Sequence, residues 1–269
     1  MSHATDLARA ANDRTLIEQP SRRDPRLTEA AAYRVQAELY RMRRGADVGF
    51  KMGLTSVAKM RQMNIDAPIC GFLTAPMIAH DGATIPRSHF VQPRVEAELA
   101  FVLRRPLTGP VTTAEAMDAV GGVAVAIEIL DSRYRDFSFA LPDVIADNTS
   151  ASRFVLGSEV RSPTLLPVGN TGVVLEINGA PVAVASSAAV LGHPARSLAM
   201  LLDLLEQYYP PGMRTLPQGA IILTGGITEA FAVDAGDRVR VRADGLGSAS
   251  FTMGGPNDSP PPAFYTVGA

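Results

Sequence analysis

A chain of 269 residues is long for one compact domain and short for two large ones, so one principal core with an appended N-terminal part is expected. Hydrophobic residues make up 46% and charged residues 19%, which excludes a disordered, collagen-like or coiled-coil chain. The net charge of −2 supplies no general pull toward a phosphate backbone, so nucleic acid is not an expected partner.

The opening MSHATDLARAANDR is too polar for a signal peptide, and no uninterrupted apolar run approaches the roughly 18 residues of a membrane span. Cys70 is the single cysteine, which rules out an internal disulfide or a thiolate metal cluster and fits a reducing compartment. A cytoplasmic protein without a membrane partner is expected.

Apolar residues recur at helical spacing over residues 4–19 and again over 24–44. The second segment has Asp24 as a candidate N-cap and Pro25 at the first helical position, with Leu27, Ala31, Val35, Leu39 and Met42 on one face. After Asp47 come short apolar runs bounded by Gly and Pro: VGFKMGL, VEAELAFVL, VAVAIEIL, GVVLEI, PVAVAS, AIILTGG, DRVRVRA and SASFTM. These read as strands. Asn178-Gly179 and Asp244-Gly245 sit between pairs of them and predict type I′ hairpins, hence a largely antiparallel sheet. Helical patterns interrupt at residues 113–120 and 194–207, and the stretch 254–263 reads as a loosely held extension. Without a regular strand–helix alternation, a GxGxxG or a GxxxxGK[ST] loop, a doubly wound nucleotide fold is disfavoured.

Strand alternation in RVEAELAF places Val95, Ala97, Leu99 and Phe101 on one face and Glu96 with Glu98 on the other. A solvated face accounts for two such carboxylates as simply as a site does. Glu128 is different, because it follows the wholly apolar run Val123 to Ile127, where an unpaired carboxylate is costly. Carboxylates converging from two strands need a cation, either a hard divalent metal held by oxygens or an arginine such as Arg94 or Arg133. Lys51 and Lys59 are the only lysines against 23 arginines. Lys51 inside an apolar strand suits a compact ammonium for an anionic or ketone substrate, or an outward side chain on an edge strand. The polar segment 143–152 suits either an anion site or capping turns. The four histidines form no ligand pair and no triad pattern.

Five motifs in order, KMGLTSVAKMRQMNIDAPICGFLT, PRVEAELAFVL, AIEILDSRYRDFSFALPDVIADNTSASRFVLG, GHPARSLAMLLDLL and LPQGAIILTGGITEAFAVDAGDRVRV, resemble the 2-oxopent-4-enoate hydratase and 2-oxohex-3-enedioate (4-oxalocrotonate) decarboxylase family of the fumarylacetoacetate hydrolase superfamily. The resemblance implies an α+β fold with a rolled, barrel-like mixed sheet and an N-terminal helical portion covering the site. The expected division is a helical or cap portion, residues 1–75, and a catalytic portion, 76–269. It further implies Mg²⁺ or Mn²⁺ held by Glu96, Glu98 and Glu128, a catalytic Lys51, and substrate contacts from Leu54, Thr55, Asp147, Asn148 and Ser152. The substrate class is a small 2-oxo dicarboxylic acid, and a homo-oligomer able to associate with a homologous hydratase is implied. The hydratase motif P-D-x-G is replaced by Pro68-Ile69-Cys70-Gly71, so the resemblance implies the decarboxylase branch. A hydratase, or a non-catalytic oxo-acid-binding subunit, is the alternative.

Overall fold

The computed structural model describes residues 2–56, 60, 68–255 and 263–267. Three helices open the chain: α1 (His3–Asp13), α2 (Pro20–Arg23) and α3 (Glu29–Met42). The strands are β1 (Asp47–Gly53), β2 (Ile69–Thr74), β3 (Ile78–Ala79), β4 (Ala83–Ile85), β5 (Arg94–Leu103), β6 (Leu107–Thr108), β7 (Val120–Leu130), β8 (Ala151–Leu156), β9 (Gly172–Ile177), β10 (Ala180–Ser186), β11 (Thr215–Leu216), β12 (Ile221–Leu223), β13 (Phe231–Ala232), β14 (Arg238–Ala243) and β15 (Gly247–Met253). Between them lie α4 (Thr113–Asp118), α5 (Leu141–Ala146) and α6 (Pro194–Tyr208).

The main sheet is mixed, in the order β2-β1-β12-β5-β7-β8-β3 with β13 on β5, and curls into a half-barrel. Its spine is the antiparallel β5–β7 ladder, whose side chains are buried on both faces over most of its length. A strand covered on both sides reads as nearly continuous apolar sequence, which VAVAIEIL is. The second sheet, β10-β9-β14-β15-β4, lays β14 and β15 against β7 and closes the core from the other side. On the main sheet, β1 pairs parallel with β12 and antiparallel with β2. Both β1 and β2 therefore belong to this sheet, although they precede the division expected at residue 75.

The hairpin at Asn178-Gly179 has both residues at positive φ and joins Ile177 directly to Ala180, as predicted. The second hairpin departs from expectation. Ala243 pairs with Gly247, so Asp244, Gly245 and Leu246 form a three-residue loop, because Leu246 folds back into the core instead of pairing.

Helix α3 also starts later than its pattern suggests. Thr28, not Asp24, caps it by accepting the Ala31 N–H at 3.2 Å, while Asp24 ends α2. Its buried face is Ala32, Tyr33, Gln36, Ala37 and Leu39, rotated from the expected stripe. The rotation follows from Gln36, whose amide donates to the Cys70 and Ile145 carbonyls at 2.9 and 2.8 Å and whose oxygen accepts from Tyr209 Oη. Asp143 ties α2 to α5 by accepting from Ser21 N and Oγ, each at 2.7 Å. The stretch Ser187–Tyr208 is long and apolar enough to cross a membrane by those criteria, but Leu198, Leu201, Leu202 and Leu205 of α6 pack in the core. Of the extension expected over residues 254–263, positions 256–262 lie outside the described residues.

Candidate functional site

Glu96 of β5 stands directly opposite Glu128 of β7, and Glu98, two residues along, points to the same face. The three carboxylates each place an oxygen within 4.8 Å of the others, at exposures of 7%, 0% and 1%. Glu98 Oε2 accepts the Gly225 N–H at 2.7 Å, whereas Glu98 Oε1 and Glu128 Oε1 are buried without a hydrogen-bond partner. Lys51 reaches this cluster from β1, its Nζ 3.0 Å from Glu128 Oε2 and 3.3 Å from the Thr149 carbonyl.

Burial and the neighbouring Glu128 hold Glu98 well above the ordinary carboxylate range. Burial also raises Glu128, against the pull of Lys51. Burial alone would lower the Lys51 ammonium, but Glu128, Glu98 and Glu96 more than reverse this, and it stays charged. With all three carboxylates ionised, as a bound cation would hold them, three carboxylates and one ammonium would leave two negative charges in a buried, all-oxygen donor set. That is the charge and chemistry a hard divalent cation matches, and the two unpartnered oxygens are the atoms such an ion would satisfy.

The cluster opens into a cavity of about 210 Å³. Its polar wall includes Lys51, Thr55, Glu96, Thr149 and Ser150, and its apolar wall Leu130, Phe137, Phe139 and Val144. Thr55 Oγ1 and Ser150 Oγ are buried without hydrogen-bond partners, so further polar capacity surrounds this space. Two glycines leave room for it. A side chain at Gly226 would land on the Glu96 carboxylate, and Gly225, at φ +109°, has Thr55 where a Cβ would be. A larger depression of about 650 Å³ on the outer face of the second sheet, beside Arg240 and Arg242, has no comparable group of buried carboxylates.

Residues 45–253 match the fumarylacetoacetate (FAA) hydrolase C-terminal family. The chain belongs to this family. It is 43% identical over 230 residues to a 4-oxalocrotonate decarboxylase from Pseudomonas sp. (strain CF600), covering 84% of this chain and 86% of that protein. A 2-hydroxyhexa-2,4-dienoate hydratase from Comamonas testosteroni is 33% identical over 232 residues, again covering 84% and 86%. Among solved structures, 4-oxalocrotonate decarboxylase from Pseudomonas putida G7, complexed with magnesium and adipate, superimposes with a TM-score of 0.87 at 38% identity, covering 93% of this chain and 97% of that one.

In this FAA hydrolase family member, Glu96, Glu98, Glu128 and Lys51 come together, and Leu54 and Thr55 lie on the cavity wall. Asp147, Asn148 and Ser152 do not reach it. Asp147 is spent on Arg133, to which it is ion-paired within the core, and this also removes Arg133 as a partner for the glutamates. Asn148 clamps β2, accepting the Phe72 N–H at 2.8 Å and donating to the Phe72 carbonyl at 3.0 Å. The wall is formed instead by the next residues, Thr149 and Ser150. Asn148, Thr149 and Ser150 are all left-handed, at φ 48°, 54° and 56°, a strained run for non-glycine residues. The Asn148 clamp and the bond from Thr149 Oγ1 to the Cys70 carbonyl, 2.8 Å, hold that strain and aim the Thr149 carbonyl at Lys51. The residue types signalled a polar loop; which of its members face inward depends on these contacts with β2.

Proposed function

We propose that this protein decarboxylates 4-oxalocrotonate (2-oxohex-3-enedioate) to 2-hydroxypenta-2,4-dienoate and carbon dioxide in the catabolism of aromatic compounds. The observation that carries the reading is the buried Glu96, Glu98 and Glu128 cluster with Lys51 charged against it. The branch is supported by 43% identity to a decarboxylase over 84% of the chain, against 33% to 39% to hydratases over 75% to 84% of it, and by the magnesium and adipate in the Pseudomonas putida G7 enzyme.

Glu96, Glu98 and Glu128 would hold Mg²⁺ or Mn²⁺, which when bound supplies Lewis acidity toward a 2-oxo acid. Lys51 Nζ, fixed by Glu128 and the Thr149 carbonyl, donates to the 2-oxo oxygen and orients the acid. The C5–C6 bond breaks, carbon dioxide leaves, and the electron pair passes through C4 and C3 to that oxygen. A charged donor at that oxygen would meet the charge where it accumulates, and Lys51 would deliver the proton that completes the enol; its 3.0 Å pairing with Glu128 supports this role by keeping the ammonium in the cluster. Leu130, Phe137, Phe139 and Val144 keep water from the departing carboxylate, whose loss of charge a dry wall favours.

Hydration is the second reading, and the residue on the wall argues against it. Ile69 lines the cavity at the position where the hydratase motif carries aspartate, and the neighbouring Cys70 thiol is fully buried and pushed up to about 12 by burial. Neither can manage a water molecule's proton at neutral pH. The same reading makes the protein a cytoplasmic homo-oligomer able to associate with a homologous hydratase, or, if turnover is absent, an oxo-acid-binding subunit of such an assembly. The deciding experiment supplies purified protein and Mg²⁺ with 2-oxohex-3-enedioate and follows carbon dioxide. Release of carbon dioxide is expected; its absence, with hydration of 2-hydroxypenta-2,4-dienoate instead, would reverse the assignment.

A further inference from the structure

Arg94 opens β5 on the same face as Glu96 and Glu98, and its side chain forms part of the cavity wall. Glu96 lies two positions further along the strand, a rise of about 7 Å. That is comparable to the reach of an extended six-carbon diacid from one carboxyl group to the other. Arg94 Cζ lies over the Phe137 ring, 4.3 Å from its centroid, so the guanidinium is braced by a cation–π contact. Among the described residues no carboxylate is paired with it. The cavity thus offers charged groups at two places: the cluster of Lys51 and three glutamates, and, beyond Glu96, a half-buried arginine bordered by Leu130, Phe137 and Phe139.

We propose that Arg94 selects the dicarboxylate, its guanidinium taking the carboxylate distal to the 2-oxo group while the oxo-acid end engages Lys51 and the glutamate cluster. The inference rests on the proposed function, since it assigns the second anionic group of that substrate. An arginine suits the task better than a lysine because its planar fork grips a carboxylate with two parallel bonds and fixes its orientation. With Cζ over the Phe137 ring and no carboxylate paired with it among the described residues, the guanidinium has N–H groups to give to those bonds. A monocarboxylic 2-oxo acid leaves this charge without a partner, which is how a site rejects a substrate lacking a polar group it was built to bind.

The role also has a kinetic signature. The distal carboxylate loses its charge as carbon dioxide forms, so the contact with Arg94 is at least as strong in the bound substrate as in the transition state. Removing it should therefore raise KM while leaving kcat unchanged or higher.

The test is calorimetric binding of 2-oxoadipate and 2-oxohexanoate to the Mg²⁺-loaded protein; the two probes differ in whether the chain ends in a carboxylate or a methyl. The wild type is expected to prefer the diacid by on the order of tenfold or more. R94M should lose that preference while keeping its affinity for 2-oxohexanoate, and R94K, which keeps the charge without the fork, should retain part of it. Equal weakening of both acids by R94M, or no change in either, overturns the assignment of Arg94. If R94M does not fold, R94K decides, and an undiminished preference overturns it. Failure of the wild type to bind either acid instead overturns the oxo-acid reading of the site, and this inference with it.

Discussion

Glu96 and Glu128 face each other in register across the β5–β7 ladder, both almost wholly buried, with Glu98 beside them on the same face. Like charges directly opposite in a sheet are destabilising, more so without water. Lys51 neutralises one of the three, so the cation-free fold carries a local electrostatic penalty that a divalent ion removes. Titrating Mg²⁺ into chelator-treated protein should raise Tm, with about 2.7 kcal/mol of stabilisation at a hundredfold excess over Kd. Calorimetric scans with and without the ion check this; superimposable scans would refute the cation site.

Substituting Glu98→Gln keeps shape and volume while deleting one of the crowded charges. The cation-free variant should be at least as stable as wild type, because Glu98 is the group that burial and Glu128 push hardest toward its neutral form. It should also lose the Mg²⁺-dependent rise in Tm and the decarboxylase activity. A variant that still binds the ion with wild-type affinity would remove Glu98 from the ligand set.

Gly226→Ala tests the cradle without touching a carboxylate. Its Cβ would land on the Glu96 carboxylate, forcing that side chain away from Glu98 and Glu128. We expect cation affinity and turnover to fall by at least tenfold, or about 1.4 kcal/mol, with the far-UV spectrum unchanged. Unchanged Mg²⁺ affinity in isothermal titration would show that Glu96 is not needed for the ion.

Lys51→Met should retain the ion yet lower kcat by roughly 10²–10³, the range for removing a donor aimed at developing charge. Because the surrounding glutamates keep Lys51 as an ammonium, borohydride should trap no substrate on it. A covalent adduct at Lys51 in the mass spectrum would replace charge stabilisation with an imine mechanism.

His193 links stability to pH far from the site. Its Nδ1 accepts the Ala195 N–H at 3.0 Å and caps α6, which requires a neutral ring on that nitrogen. Burial and Arg196 hold its imidazole below the ordinary 6.5. The unfolded chain therefore binds a proton first as pH falls, so the contribution of the cap is complete above pH 6.5 and declines below it. His193→Ala should cost about 1 kcal/mol at high pH and less in acid, measured by urea denaturation. A cost that grows on acidification would contradict this.

Alternation along β5 is a local property of extended backbone, which is why the shared face of Glu96 and Glu98 could be read from seven or eight letters. The apolar run before Glu128 likewise announced a buried carboxylate in need of a partner. The helical pattern over residues 194–207 and the Asn178-Gly179 turn were equally local, since each depends on residues a few positions apart. Other features depend on segments distant in sequence. The β5–β7 register sets Glu96 against Glu128, and the parallel pairing of β1 with β12 brings Lys51 to Glu128, 77 residues away in sequence. The bonds from Asn148 and Thr149 to β2 turn Thr149 and Ser150, not Asp147 and Asn148, toward the cavity. Gln36 faces inward, where its amide donates to two carbonyls far along the chain, those of Cys70 and Ile145. Residue type and spacing determined which groups could do chemistry here; strand register and buried hydrogen bonding, which no local pattern encodes, decided which of them meet.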